Sequence, residues 1–295
     1  MNKISCSVGI FAHNEAGNII HLLEALVGQI LEKASLTEII VVSSASTDGT
    51  DSLVRDFATL HSQVKLITQA RREGKSAAIN LFLKEAGEDI CAVISGDVIP
   101  EKHTLEKLLE VFSDPQIGAS GGRPMPVNST DSFCGYAVQL LWNLHHRMAL
   151  ISPKLGEMIV FRKVMETIPA DSAVDEASIE ALIKARGLKL KYVPGAIIRN
   201  KGPEKLKDFI KQRRRIQNGH LWLKRYQHYQ VASQEGSTLL KVFIAELTEH
   251  PSAAFRMLGV MALEAFSRIL GSWDYYIKGK NPFAWEIVSS AKKTQ

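Results

Sequence analysis

Apolar and polar positions follow one another in a repeating order along the first 113 residues. "SCSVGIF" (5–11) is a strand-like run that ends at the polar "AHNEAGN", and "IIHLLEALVGQI" then spaces its apolar residues as an amphipathic helix does. "TEIIVVSSASTDGT" repeats the pattern with four β-branched residues and a polar turn before the helical "DSLVRDFATL". "VKLITQ" precedes the loop and helix of "ARREGKSAAINLFLKEA", and "DICAVISGD" precedes the helix of "TLEKLLEVFS". Strand, loop and helix in alternation predict an α/β fold with a mostly parallel sheet covered by helices on both faces. Ligands of such sheets bind outside the carboxyl ends of the strands.

From about residue 114 the alternation stops. "QIGASGGRPMPV" is rich in Gly and Pro, "FCGYAVQLLWNLHHRMAL" is a long helical stretch, and "GEMIVFRK" is a short strand. "DSAVDEASIEALIKARG" reads as a helix with acids in its first turn and Gly187 as its cap. After "LKLKYVPGAIIRNKGP" comes the basic helix "LKDFIKQRRRIQNGHLWLKRYQHY". A change of composition near residue 231 divides a domain over 1–230 from a helical carboxyl-terminal region over 231–295.

Composition adds little to this picture. The chain has 295 residues, 45% hydrophobic and 23% charged, with a net charge of +5 that favours anionic partners without choosing among them. The basic run at 211–220 lacks interleaved aromatic residues, which argues against nucleic acid. Cys6, Cys91 and Cys134 have no metal-like spacing and read as reduced packing residues of a cytoplasmic protein. The amino terminus lacks the apolar core of a signal peptide, so export is not expected. His145 and His146 are adjacent, about 100° apart on a helix, so a shared metal role is not expected.

Candidate chemistry gathers at the strand ends. Asp97 follows Gly96 at the end of the fourth strand, where a carboxylate can hold a Mg²⁺ or Mn²⁺ ion bridging nucleotide phosphates, or simply cap or face solvent. His13, Asn14 and Glu15 follow the first strand, Ser43 to Asp48 the second, and Arg71 to Lys75 the third. Together these loops offer carboxylates and amides for a nucleoside and cations for a diphosphate. Asp175 and Glu176 open a helix, where a general base and a helix cap are both open readings. Gln212 and Arg215 lie three apart on one helical face, with Arg213 and Arg214 pointing elsewhere, toward lipid phosphate or solvent.

In order and spacing these motifs resemble family 2 glycosyltransferases of the GT-A fold, which use nucleotide-sugar donors and invert the anomeric centre. The resemblance runs over roughly residues 5 to 225. "AHNEAGNI", from Ala12, resembles the first-strand loop, and "VVSSASTDGT" resembles the second, with Ser43 and Ser44 where acids are usual. "RREGKSAAIN" resembles the segment supplying Arg72, Gly74, Lys75 and Asn80. "SGD" stands where the family has DxD, with Ser95 for the first acid and Asp97 for the second. "VDEASIEAL" resembles the acidic motif carrying the base, aligned on Glu176, and "QRRRI" resembles Q-x-x-R-W with Ile216 for the tryptophan.

The resemblance implies that Asp97 holds the metal and that Glu176, or its neighbour Asp175, is the base. It implies that Glu15 and Asp48 help hold the nucleoside, with Gln212 and Arg215 at the diphosphate or the acceptor. The acceptor it implies is lipid-linked or glycan.

Two rival readings stay open. A sugar-phosphate nucleotidyltransferase needs a Gly- and Arg-rich loop directly after the first strand, which "AHNEAGN" does not supply. A non-catalytic scaffold that binds donor or glycan would accommodate Ser43, Ser44, Ser95 and Ile216. Near the carboxyl end, Arg256, Glu264 and Arg268 interrupt an apolar helix too often for a bilayer span, yet fall in one stripe. Such a helix lies in a membrane interface with Trp273, Tyr275 and Tyr276 at headgroup depth, or packs on the catalytic domain or a partner. The expected location is cytoplasmic, at the inner face of the cell membrane.

Overall fold

The computed structural model describes residues 3–234 and 236–279. Residues 280–295 of the expected carboxyl-terminal region lie outside the described residues. Among the described residues the strands are β1 (Ile4–Ala12), β2 (Ala34–Ser44), β3 (Val64–Gln69), β4 (Ile90–Ser95), β5 (Ile99–Pro100), β6 (Ile117–Pro126), β7 (Met158–Arg162) and β8 (Lys189–Asn200). The helices are α1 (Ile19–Val27), α2 (Thr50–Leu60), α3 (Lys75–Glu85), α4 (Thr104–Glu110), α5 (Phe133–Ile151), α6 (Asp175–Ala185), α7 (Leu206–Tyr226), α8 (Gly236–Glu249) and α9 (Ala254–Tyr276).

The strands form one mixed sheet in the order β3-β2-β1-β4-β7-β6-β8-β5. The first four in that order are parallel, as the alternating sequence predicts. Their register brings the loops to one level, because Ala12 lies opposite Ser43 and Phe11 opposite Ser95. Three polar loops therefore leave the sheet side by side. β7 then runs antiparallel to both β4 and β6.

Ten residues of the Gly- and Pro-rich "QIGASGGRPMPV" form the strand β6. Its glycines make room for close neighbours: a Cβ on Gly122 would stand 2.3 Å from the Ala196 carbonyl oxygen. Gly187 follows α6 at φ +75°, a conformation that suits glycine, and its N–H donates to the Lys184 carbonyl.

Two apolar layers enclose the sheet. Leu22, Leu23, Leu105 and Leu108 pack on one face with Val8 and Ile10, and Phe82, Ile79, Ile179 and Ile183 on the other with Val93 and Phe161. A third cluster joins α5, α7, α8 and α9 through Leu144, Phe209, Val242 and Val260.

The attachment of α9 corrects one expectation. Arg213 and Arg214 meet neither lipid nor solvent alone. Arg213 grips Glu264 with two hydrogen bonds of 2.7 and 2.6 Å, and Arg214 grips Asp274. Arg268 donates to Glu264 at 2.7 Å, and Glu264 is only 3% exposed. The charged side of α9 therefore faces the protein. The close crossing needs Gly271, where a Cβ would lie 2.4 Å from the Arg214 carbonyl oxygen. Phe255 (90% exposed), Leu258, Phe266, Ile269, Trp273 and Tyr276 point outward instead. No helix among the described residues is long and apolar enough to cross a membrane.

Candidate active site

The loops at the carboxyl ends of β1 and β2 are fastened to each other. His13 Nδ1 donates to the Ser44 carbonyl at 2.6 Å. Asn14 sits at φ +56°, which asparagine tolerates, and there its Oδ1 accepts the Thr47 N–H at 2.8 Å. The Asn14 N–H reaches Ser46 Oγ, which also meets the Ser43 hydroxyl at 2.9 Å. Asp48 accepts from the Thr50 hydroxyl at 2.5 Å and the Ala16 N–H at 3.0 Å. Burial alone would raise the Asp48 carboxyl, but these bonds hold it below its usual range. Asn14, Ser43 and Asp48 thus brace the loops without lining the cleft, whereas Ala12, His13 and Glu15 form its wall.

Ser95, Gly96 and Asp97 continue that wall from β4. The Gly96 N–H donates to the Phe11 carbonyl at 3.0 Å, and a Cβ there would stand 2.9 Å from Glu15 Cγ. Glycine is required because the β1 and β4 loops press together at this point.

Arg72 and Lys75 enter from the amino end of α3. Lys75 Nζ lies 2.7 Å from Asp175 Oδ2 and 2.5 Å from Glu176 Oε1. The N-cap of α6 is Val174, with no side-chain bond, and both acids stand in the first turn, where each also meets a backbone N–H. Burial opposes the Lys75 charge, but the two carboxylates more than offset it and raise the ammonium's pKa. The acids part company: burial and then the Glu176 charge push Asp175 up to about 6, whereas Lys75 holds Glu176 down against its own burial. Glu176 lines the cavity, and Asp175 lies behind it.

The start of α6 is pinned from two sides. Asn80 of α3 exchanges two hydrogen bonds with the Ile168 backbone, at 2.9 and 2.8 Å. On the other side Gly219 lets α7 approach, since a Cβ there would meet Val174 Cγ1 at 2.7 Å. One to two turns earlier, α7 presents Gln212, Arg215 and Ile216 to the cavity. Burial lowers the Arg215 pKa, and Asp175, Glu176, Asp97 and Glu157, in that order, work to keep its charge. Asp97, Glu176 and Arg215 therefore face one cavity, of about 450 Å³.

Sequence reasoning missed Glu157, which lines this cavity in the left-handed region at φ +61°. Asn200 Nδ2 donates to it at 2.9 Å, and burial, then Asp97 and Glu176, push it up to about 7. No local pattern marks it, because it stands in an unremarkable lead-in to β7. His145 is buried between Trp142 and Tyr192 and lines the cavity.

Ser95 beside Asp97, and Glu157, whose carboxyl feels the Asp97 and Glu176 charges, offer oxygen, the donor type that suits Mg²⁺ or Mn²⁺. Among the described residues, the tight three-group cluster that could ligate an ion is elsewhere, at Glu246, Glu249 and His250, where Arg147 already pairs both carboxylates.

Comparison with known proteins agrees with this architecture. The family profile "Glycosyl transferase family 2" matches residues 7–183. The glycosyltransferase AglE of Haloferax volcanii is 31% identical over 116 residues, 39% of this chain and 38% of that protein. Poly-beta-1,6-N-acetyl-D-glucosamine synthase of Staphylococcus aureus is 26% identical over 223 residues, 70% of this chain and 53% of the synthase. The chain thus spans about half or less of the length of these curated relatives.

Among solved structures, mannosyltransferase PcManGT from Pyrobaculum calidifontis, in complex with GDP-Man and Mn²⁺, superposes with a TM-score of 0.61 at 22% identity. That match covers 94% of this chain and 81% of that one. S. aureus TarS with UDP-GlcNAc superposes at 0.53 and 15% identity, covering 94% and 93%. These likenesses show the GT-A-type fold.

Proposed function

The chain belongs to glycosyl transferase family 2, and on that premise we propose that it moves a sugar, with inversion, from a nucleotide-diphosphate-sugar to a lipid-linked or glycan acceptor. The observation that carries this reading is the meeting of Asp97, Glu176 and Arg215 at one cavity. Inversion needs a base to take the acceptor proton on one side of the anomeric carbon and charge neutralisation for the departing diphosphate on the other.

Glu176 is the base. Lys75 keeps it ionised, and its place on the cavity wall distinguishes it from Asp175. Asp97 holds the divalent metal, with Ser95 and Glu157 as neighbouring oxygens. Bound there, Mg²⁺ or Mn²⁺ supplies positive charge to the diphosphate. Arg72 and Arg215 add cations on the same wall, and Gln212 orients the diphosphate or the acceptor. Ala12 and Glu15, braced by Asn14, Ser43 and Asp48, receive the nucleoside. Residues 1–230 carry this chemistry, and the region from 231 supplies a peripheral contact with the inner face of the cell membrane. The outward apolar stripe of α9 supports that contact.

The test follows nucleotide release from UDP-, GDP- and dTDP-sugars in the presence of Mn²⁺, for wild type and Glu176→Gln. The expected result is release from one class of donor, reduced about 10²–10⁴-fold in the variant with donor affinity intact. Binding without release from any donor would instead favour a scaffold.

A further inference from the structure

The cavity continues beyond the base. Helix α6 presents Glu176 to the cleft and, one turn or about 5.4 Å further along, Glu180 to the stretch of the same cavity where Glu180, Arg213, Arg268 and Glu264 act on Lys154. Lys154, Arg213, Arg268 and His220 line this stretch with Glu180 and Glu264. Lys154 Nζ donates to Ser233 Oγ at 2.9 Å. The two Glu180 oxygens are taken by neutral donors, the Leu155 N–H at 2.6 Å and the Tyr229 hydroxyl at 2.9 Å. Glu264 is shared between Arg213 and Arg268.

Three cations thus face two acids, and one of the acids is only partly ionised, since burial pushes Glu180 up to about 7. Beside burial, that surplus lowers Lys154 and the two neighbouring histidines. Burial pushes Lys154 down to about 8; Glu180 resists the fall, while Arg213 and Arg268 add to it. Burial and then the Lys154 charge drive His145 and His220 well below the ordinary histidine value. Enclosed charge that the protein itself leaves unmatched is costly, and an anion filling this stretch removes that cost.

We infer that this stretch is an anion subsite, distinct from the place of the donor diphosphate, in which Lys154, Arg213 and Arg268 hold a phosphate group of the acceptor. The inference rests on the transferase reading, because its position beyond Glu176 is what assigns it to the acceptor. Arg268 also lies on the rim of a shallow groove on the outer face of α9, with Ile269, Trp273 and Tyr276. A phosphate held by Arg268 therefore has apolar surface leading away from it, which suits a lipid-linked phosphate; a soluble phosphosugar carries the same anionic group.

The experiment is calorimetric titration of the full chain with inorganic phosphate while a nucleoside diphosphate and Mn²⁺ saturate the cleft. Saturable binding is expected in wild type. In Lys154→Met and in Arg268→Gln it weakens at least about tenfold, the loss of one charged hydrogen bond, while nucleoside diphosphate affinity is unchanged. Lys154→Met removes a buried charge at nearly constant shape, so its melting temperature should hold or rise.

Phosphate binding that vanishes once the cleft is filled, or that both variants retain in full, overturns the inference. Phosphatidylcholine vesicles with and without a polyprenyl phosphate, run beside glucose 1-phosphate, separate the two sources. Recruitment that needs the polyprenyl phosphate and Lys154 identifies the lipid, and Lys154-dependent binding of glucose 1-phosphate identifies the soluble sugar. A chain that releases nucleotide from a donor but binds no phosphate loses this subsite alone. One that binds phosphate as described but releases no nucleotide loses the transferase reading instead.

Discussion

Lys75 and Glu176 are 101 positions apart in the chain and meet through a 2.5 Å contact between Nζ and Oε1. The contact joins the amino ends of α3 and α6 and decides how the acid titrates. In Lys75→Met, burial is opposed only by the remaining hydrogen bonds, from the backbone and Asp175, and the Glu176 carboxyl rises. The acidic limb of the kcat/KM–pH profile is expected to move upward by at least about one unit, with activity partly recovered at alkaline pH. A limb that stays in place would show that another group is the base.

Asp97→Asn keeps the shape of the β4 loop and removes its charge. Mn²⁺ binding followed by electron paramagnetic resonance, with nucleoside diphosphate present, should weaken at least as much as the roughly tenfold lost when a mere partner of a metal ligand is removed. Metal-free nucleotide affinity should be little changed. Undiminished Mn²⁺ binding would place the ion elsewhere.

Glu264 anchors two arginines and is held down to about 2, its burial outweighed by the charges of Arg213 and Arg268. Glu264→Gln leaves both guanidiniums short of their counter-charge, at an expected cost of about 3–5 kcal/mol. The ionised Glu264 contributes stability that is fully present above the ordinary carboxylate range and is lost as pH falls toward 2. The variant should therefore melt with less dependence on acid pH, and limited proteolysis should release α9 first.

Glu180 has the opposite sign. Burial raises it to about 7, so it binds a proton more tightly folded than unfolded, and stability declines as pH rises from about 4.5 to about 7. Glu180→Gln should flatten the melting temperature across that window. An equal slope in wild type and variant would show that Glu180 is not the group responsible.

The apolar stripe of α9 predicts binding to lipid vesicles. Replacing Ile269 and Trp273 by Ser together should lower partitioning at least about tenfold without changing nucleotide release from a soluble donor. Equal partitioning would mean that the stripe is not the membrane contact.

How much of this was legible beforehand depends on the range of each interaction. The parallel half of the sheet was written in local periodicity, and Asp97 could be placed at its rim because strand ends are local events. The carboxylates of α6 were visible as a pair, but their partner lies in another helix, so helix capping competed with the base as an explanation. Glu157 and Lys154 stand in connecting segments without periodicity, and only the fold brings them to the cavity. For α9 the helical wheel located the charged stripe correctly but not which way it turned. Charge normally faces water, and the inversion depends on Arg213 and Arg214, some fifty to sixty positions away.

Helix α7 faces two directions within one turn. Gln212 and Arg215 enter the cavity, Arg214 is locked to α9, and Arg213 grips α9 while also lining the cavity. With Gly271 seated against the Arg214 backbone, the two helices form a lever with no slack at its fulcrum. A force applied to the outer helix, such as the lateral pull of a bilayer, would arrive at the reacting groups as a rotation of their shared scaffold, with no flexible loop in between to absorb it.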